Sequence, residues 1–300
     1  MELAPILLFV YNRPWHTKQT LIALKQNELA NQSDLFIYSD APKSYKDIKK
    51  VKSVRESIKK VDGFKAVFIT ERTRNQGLAK SIISGVTEIV NKYGKTIVLE
   101  DDLVTSPYFL KFMNDALDKY VDNDNIASIS GYVEPIYGLP ENFFLKKGTS
   151  WGWATWKKLW DSFEKDGNRL FFEINRSKKK KQFDLDGTCF FYSMLQKQID
   201  GKINSWAIRW YASNFINGKL HLIPGKSLVK NIGHDGSGTH CDKNRYHNSA
   251  LSLDHEVNVV TIDIVENSHA RKMISNFYKK MYSKKNIFKT KFKRLMELFQ

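Results

Sequence analysis

The chain has 300 residues, 42% of them hydrophobic and 27% charged, with a formal net charge of +16. That length supports one large α/β domain, with or without an appendage, and an ample core. No run approaches the roughly 20 apolar residues of a membrane-spanning helix, and two cysteines, Cys189 and Cys241, give no metal-binding spacing.

The opening run Ala4–Val10 is short, lacks a basic flank and runs directly into Asn12-Arg13-Pro14, so it reads as a strand and not as a signal peptide. With so few cysteines this predicts a reducing, cytoplasmic setting. A helix follows Pro14 with Leu21, Leu24 and Leu29 on its apolar face. Residues 34–40 form a second predicted strand, ending in Asp40. A lysine-rich amphipathic stretch (44–60) leads to a third strand near Ala66–Ile69. The polar loop Glu71–Leu78, with Arg72 and Arg74, enters a helix carrying Ile82, Ile83, Val86, Ile89 and Val90, which Gly94 ends. A fourth strand ends at Leu99. A helix after Ser106-Pro107 carries Phe109, Phe112, Met113, Leu117 and Tyr120, and Ile126–Ile129 is a fifth strand. This alternation predicts a doubly wound, mostly parallel sheet flanked by helices, with ligands beyond the carboxyl ends of its strands.

Beyond Gly131 the alternation stops. Trp151-Gly152-Trp153 and Trp156 are core or a sugar-stacking platform. Helices are expected at Thr188–Ile199 and from Ser205, and a last strand at Val257–Val265. The glycine-rich stretch 231–240, with His234, Asp235 and His240, reads as a closing loop.

The most informative stretch is Ile97-Val98-Leu99-Glu100-Asp101-Asp102. Three adjacent carboxylates at a buried strand end repel one another, and burying any of them unpaired is costly. A divalent cation held by oxygen ligands resolves that conflict. Asn12, Arg13, Asp40, Arg72 and Arg74 also follow strand ends, and together they outline a site.

With Val98–Leu103, Ser106–Phe109, Tyr11–Pro14, Ser39-Asp40, the Trp-Gly-Trp segment and the glycine loop in order, residues 4–241 resemble the GT-A nucleotide-sugar glycosyltransferases, closest in plan to the N-acetylglucosaminyltransferase I-like members and their bacterial relatives. The resemblance implies Mn²⁺ or Mg²⁺ on Asp102, helped by His234 or His240. It implies contacts of Asp101 and Glu100 with the donor's ribose and sugar, Asp40 with the uracil, Arg13 with the nucleotide and Lys80 with the diphosphate. Asn12, Arg74 and Trp153 complete the expected nucleotide-sugar set. Where relatives place a catalytic Asp ahead of a Trp, this chain has Asn204-Ser205-Trp206. A substitute base is therefore expected among Glu134, Asp200 and Asp235.

The expected organisation is a glycosyltransferase domain over 1–270, with a nucleotide-sugar half (1–130) and an acceptor half (131–250), and a tail over 271–300. Ten Lys and Arg against one acid put +9 of the charge in that tail. Its aromatics recur at helical spacing, as in a helix lying on an anionic membrane, here the inner face of a bacterial plasma membrane. The alternative is packing on the body or on a second subunit, a homodimer. The expected partners are a UDP-sugar donor and a surface-glycan or lipid-linked glycan acceptor. A nucleic-acid partner leaves the acidic triplet unexplained, and a sugar nucleotidyltransferase would carry a glycine-rich loop where Tyr11–Pro14 stands.

Overall fold

The computed structural model describes residues 2–235, 251 and 256–283. In chain order the elements are β1 (Ile6–Val10), α1 (Pro14–Lys25), β2 (Asp34–Ser39), α2 (Ile48–Ile58), β3 (Ala66–Glu71), α3 (Leu78–Tyr93), β4 (Lys95–Glu100), β5 (Leu103–Thr105), α4 (Phe109–Lys119) and β6 (Ile126–Ser130). There follow β7 (Asn142–Leu145), β8 (Trp153–Trp156), α5 (Lys157–Asp161), α6 (Gly167–Arg176), α7 (Lys180–Phe183), α8 (Phe191–Ile199), α9 (Trp206–Ile216), β9 (Leu220–Pro224), β10 (Val229–Asn231) and α10 (Ser268–Met281).

Eight strands form one sheet in the order β3-β2-β1-β4-β8-β6-β9-β7. β3, β2, β1 and β4 are parallel neighbours, so the expected α/β plan with a mostly parallel sheet is present. Their apolar runs are continuous because helices cover both faces. α1, α2 and α4 pack on one face through Leu21, Leu24, Val54, Ile58, Phe112 and Leu117. α3 and α9 cover the other through Ile82, Val86, Ile89, Trp206 and Trp210.

The second half adds strands that periodicity did not reveal. β8 inserts antiparallel between β4 and β6, with Val98 opposite Trp153. β7 pairs antiparallel with β9 at the sheet edge. The strand expected at Val257–Val265 is not one. Instead the segment runs along β7, with the amides of Asn258 and Val260 donating to the side chains of Glu141 and Asn142. Val259, Ile262 and Ile264 lean on the core, so the apolar pattern reports burial without a ladder.

The tail boundary at 270 also shifts. α10 starts at Ser268, capped by the Asn267 side chain. Ala270, Ile274, Tyr278 and Met281 are buried against Val133, Phe143, Leu145 and Ile223. The apolar face expected to enter a membrane belongs, in this helix, to the body's own core. The rest of the tail, from 284, lies outside the described residues. No helix among the described residues is long and apolar enough to cross a membrane.

Candidate functional site

Parallel pairing sets the strand ends level: Val10 is opposite Ser39, and Ser39 opposite Glu71. The loops beyond them, and the acids after Glu100, therefore share one edge. β1 lies between β2 and β4, so the chain winds outward in both directions from it. The crevice between β1 and β4 is the switch point at which open α/β sheets bind ligands.

Arg13, the residue before α1, reaches across that crevice. Its Nη2 pairs with Asp101 Oδ1 and lies 3.0 Å from Asp102 Oδ2. Burial works against the guanidinium's charge, but the two carboxylates outweigh it and its pKa is raised. Asp101 is held on two more sides: the Tyr11 amide donates to Oδ2 at 3.3 Å, and Thr20 Oγ1 donates to its carbonyl at 3.0 Å. Burial raises the Asp101 pKa against the pull of Arg13. Glu100, half-buried, is pushed up to about 8 by burial and by the charges of Asp102 and Asp101. One guanidinium thus balances part of three carboxylates, and the site keeps negative charge for a further cation.

The late glycine loop closes on the same acids. β10 pairs with β5, directly after the triplet, and the Ile232 amide donates to the Asp102 carbonyl at 2.9 Å. Gly233 then passes so near that a Cβ there would overlap Asp102 Oδ2 and stand 2.8 Å from Arg13 Nη1. A side chain at 233 would have to displace both groups. Asp235 Oδ2 follows, 3.1 Å from His16 Nε2 at the start of α1. His234 lies edge-on to Trp151, with ring centroids 5.3 Å apart, and Trp151 meets Tyr132 at 4.5 Å.

The structure therefore gathers Arg13, Glu100, Asp101, Asp102, His234 and Asp235 around one crevice. Other expected residues serve elsewhere. Trp153 is buried on β8 among Trp160, Trp206 and Trp210, a core tryptophan and not a sugar platform. Trp151, which the sequence did not single out as a site residue, is half-buried beside His234. Gly152 has φ +61, which breaks the strand between the two tryptophans, so alternation from one does not predict the other. Asp40 is buried, its carboxylate accepting from the amides of Ala41, Gln76 and Gly77 at 2.9–3.2 Å. It organises the loop after β3 instead of facing open space. Asn12 donates to Asp47 at 2.7 Å, and Arg74 is exposed in the β3–α3 loop.

Two candidate bases lie apart from the crevice's contacts. Glu134 is 1% exposed. It accepts from Lys147 Nζ and Tyr278 Oη, both at 2.5 Å. Burial opposes its charge, but Lys147 and Tyr278 win and its pKa is lowered. Asp200 is exposed at the end of α8, bonded to Gln196 and Lys202. Lys80 and Asn204 both line an open cleft of about 600 Å³ between α3 and α9, with Thr87, Glu88 and Arg209. His240 and Cys241 lie outside the described residues. Sequence reasoning missed His16 and Tyr132, which have no motif and are defined only by what they touch.

Comparison with known proteins yields no matching family model and no matching curated protein. Among solved structures, the chain is similar to a mannosyltransferase from Pyrobaculum calidifontis in complex with GDP-Man and Mn²⁺, at 12% identity and a TM-score of 0.35 over 53% of this chain and 48% of that one. It is similar to S. aureus TarS residues 1–349, at 9% identity and a TM-score of 0.40 over 75% of this chain and 59% of that one. A third similar structure is a nucleotide-diphospho-sugar transferase from Desulfovibrio desulfuricans G20, at 14% identity and a TM-score of 0.36 over 55% and 69% of the two chains. The chain thus spans 48% and 59% of the first two.

Proposed function

We propose that this chain is a metal-dependent, inverting glycosyltransferase of GT-A plan, similar to the N-acetylglucosaminyltransferase I-like enzymes. It would move a sugar from a UDP-sugar, UDP-N-acetylglucosamine or a UDP-hexose, to a hydroxyl of a surface-glycan or lipid-linked oligosaccharide acceptor. The observation that carries the reading is the meeting of Arg13 with Asp101 and Asp102 at the β1/β4 switch point, under the loop of Gly233.

The acids fit a hard divalent ion in chemistry: carboxylate oxygens are the donors that Mg²⁺ and Mn²⁺ prefer. No group of three metal-ligating side chains converges among the described residues. The set matches a cation held by one or two carboxylates and completed by substrate phosphates. Asp102 would be the main protein ligand, with Asp101 beside it. Bound there, the ion supplies Lewis-acid stabilisation of the departing diphosphate.

The chain's own groups do the rest. Arg13 brings a fixed positive charge to the nucleotide side. Trp151, backed by the buried ring of Tyr132, would offer an aromatic face to a sugar. Asp235, alone of the three candidate bases, belongs to the loop whose Gly233 meets Asp102, and it would take the acceptor hydroxyl's proton. The acceptor oxygen then bonds the anomeric carbon as the carbon–oxygen bond to the diphosphate breaks, its electron pair leaving on the nucleotide.

The test is calorimetric titration of UDP with Mn²⁺ and with chelator, beside a hydrolysis panel of UDP- and GDP-sugars. Tighter UDP binding with Mn²⁺, lost in Asp102→Asn at unchanged melting temperature, is expected. Equal affinity under chelator removes the metal assignment. Failure to bind or hydrolyse any member of the panel removes the donor reading.

A further inference from the structure

The surface of α1 and α2 presents a second feature. Trp15 and Ile22 on α1, and Tyr45 and Ile48 at the start of α2, are exposed by 59%, 44%, 77% and 53%. Large apolar side chains grouped this way on one face need a partner. They are grouped because both crossovers, β1 to β2 and β2 to β3, run the same way across the sheet. Right-handed connection then places α1 and α2 on one layer, and their inner residues Leu21, Leu24, Val54 and Ile58 share one core. Trp15 and Ile22 are seven residues apart on one side of α1. The Asn12–Asp47 hydrogen bond, 2.7 Å, ties the entrance of α1 to that of α2, three residues before Trp15 on one side and between Tyr45 and Ile48 on the other.

Charge selects the partner. Residues 43–60 hold eight Lys and Arg against two acids, and α1 holds Lys18 and Lys25 with no acid. Ion pairs among the described residues take up Lys25, Lys52, Arg55 and Lys59. Lys18, Lys43, Lys46, Lys49 and Lys50 are exposed and pair with no acid among the described residues. Aromatic and aliphatic tips set among free lysines match the boundary between anionic headgroups and acyl chains. A nucleic acid would use the aromatics for stacking but gives Ile22 and Ile48 no role, since they have no π face.

We infer that the α1–α2 face is a docking surface for an anionic lipid bilayer, with Trp15, Ile22, Tyr45 and Ile48 entering the headgroup layer and the free lysines on the anionic lipids. This is a different surface from the C-terminal tail, whose helix α10 faces the core. Asn12 and Arg13 adjoin Trp15, so docking sets the acidic crevice at the edge of the membrane. For its use, delivery of a lipid-linked acceptor, the inference rests on the function proposed above; for the binding itself it does not.

The test is sedimentation of the full chain with vesicles of phosphatidylcholine alone and with phosphatidylglycerol added. Binding to the anionic vesicles only is expected. Lys46→Glu/Lys49→Glu/Lys50→Glu should weaken it by on the order of a hundredfold, at about fivefold per lysine. Trp15→Ser/Tyr45→Ser/Ile48→Ser should weaken it by at least ~10-fold, since each loses a side chain that partitions into the interface. Both variants keep residues 271–300, so the loss belongs to this face. Wild-type failure to sediment, or undiminished binding by both variants, overturns the inference. So does tighter binding of a single-stranded oligonucleotide that the same substitutions abolish. UDP affinity in the same samples reports on the donor reading independently and should not change.

Discussion

Gly233 closes over Asp102 so tightly that a Cβ at Gly233 would overlap Asp102 Oδ2. A loop more than a hundred residues downstream thereby becomes the roof of the acidic crevice. Its amide neighbour Ile232 fixes the height through the Asp102 carbonyl.

Gly233→Ala is therefore expected to distort the crevice and leave the core intact. Overpacking at a buried contact costs about 1–3 kcal/mol, and here it falls on Asp102 and Arg13. UDP affinity measured by calorimetry should drop by at least ~10-fold, while melting changes by only a few degrees. Wild-type affinity in this variant would show that the loop does not roof the donor site.

Asp235 and Glu134 should fail differently. Asp235→Asn is expected to lower kcat by ~10²–10⁴, with UDP affinity unchanged, as for loss of a positioned base. Glu134→Gln leaves Lys147 buried without its carboxylate, at a cost of about 3–5 kcal/mol. Its effect should appear in the melting temperature, with kcat per folded molecule preserved. The opposite pattern in the pair reverses the assignment.

His221 sets an acid limit on stability. It is buried on β9, 2.7 Å from Ser128 Oγ, and a Cβ at Gly148 would stand 2.5 Å from its Nδ1. Burial and the charge of Lys147 lower its pKa to about 3. Between the ordinary histidine range and that value the unfolded chain binds a proton that the folded chain refuses. The stability that His221 contributes is thus present near neutrality and lost as pH falls, by roughly 1.4 kcal/mol per unit below about 6.5. Denaturant midpoints from pH 7 to pH 5 should fall more steeply in the wild type than in His221→Gln. Equal slopes would remove His221 from the acid response.

The chain is held to its core by α10. Ending it after 267 removes α10, with Ile274, Tyr278 and Met281 from the core and Tyr278 from Glu134. At about 1.5–3 kcal/mol per large buried side chain, that loss rivals the ~5–15 kcal/mol stability of a whole domain. Insoluble or unfolded protein is expected, and a soluble, UDP-binding product would show that α10 is dispensable.

Local physics in the chain determined the first half of this protein. Continuous apolar runs meant buried parallel strands, Pro14, Gly77 and Gly94 punctuated the helices, and the acids after Leu99 had to stand at a strand end because no core would take them unpaired. Parallel register made Arg13 and Asp102 neighbours; the sequence put both after strand ends at one site, but their ion pair appears only in the structure. Tertiary structure decided what depends on pairing across long separations. Trp153 is buried because β8 slips between β4 and β6, while Trp151, past the turn at Gly152, stays at the crevice. Glu134 and Asp235 are both plausible carboxylates in sequence, yet one meets Lys147 and Tyr278 in the core and the other stands beside His16. The amphipathic pattern of 268–281 states only that one face avoids water. Whether that face meets lipid or protein was settled by the apolar surface of β7 and β9, which α10 covers.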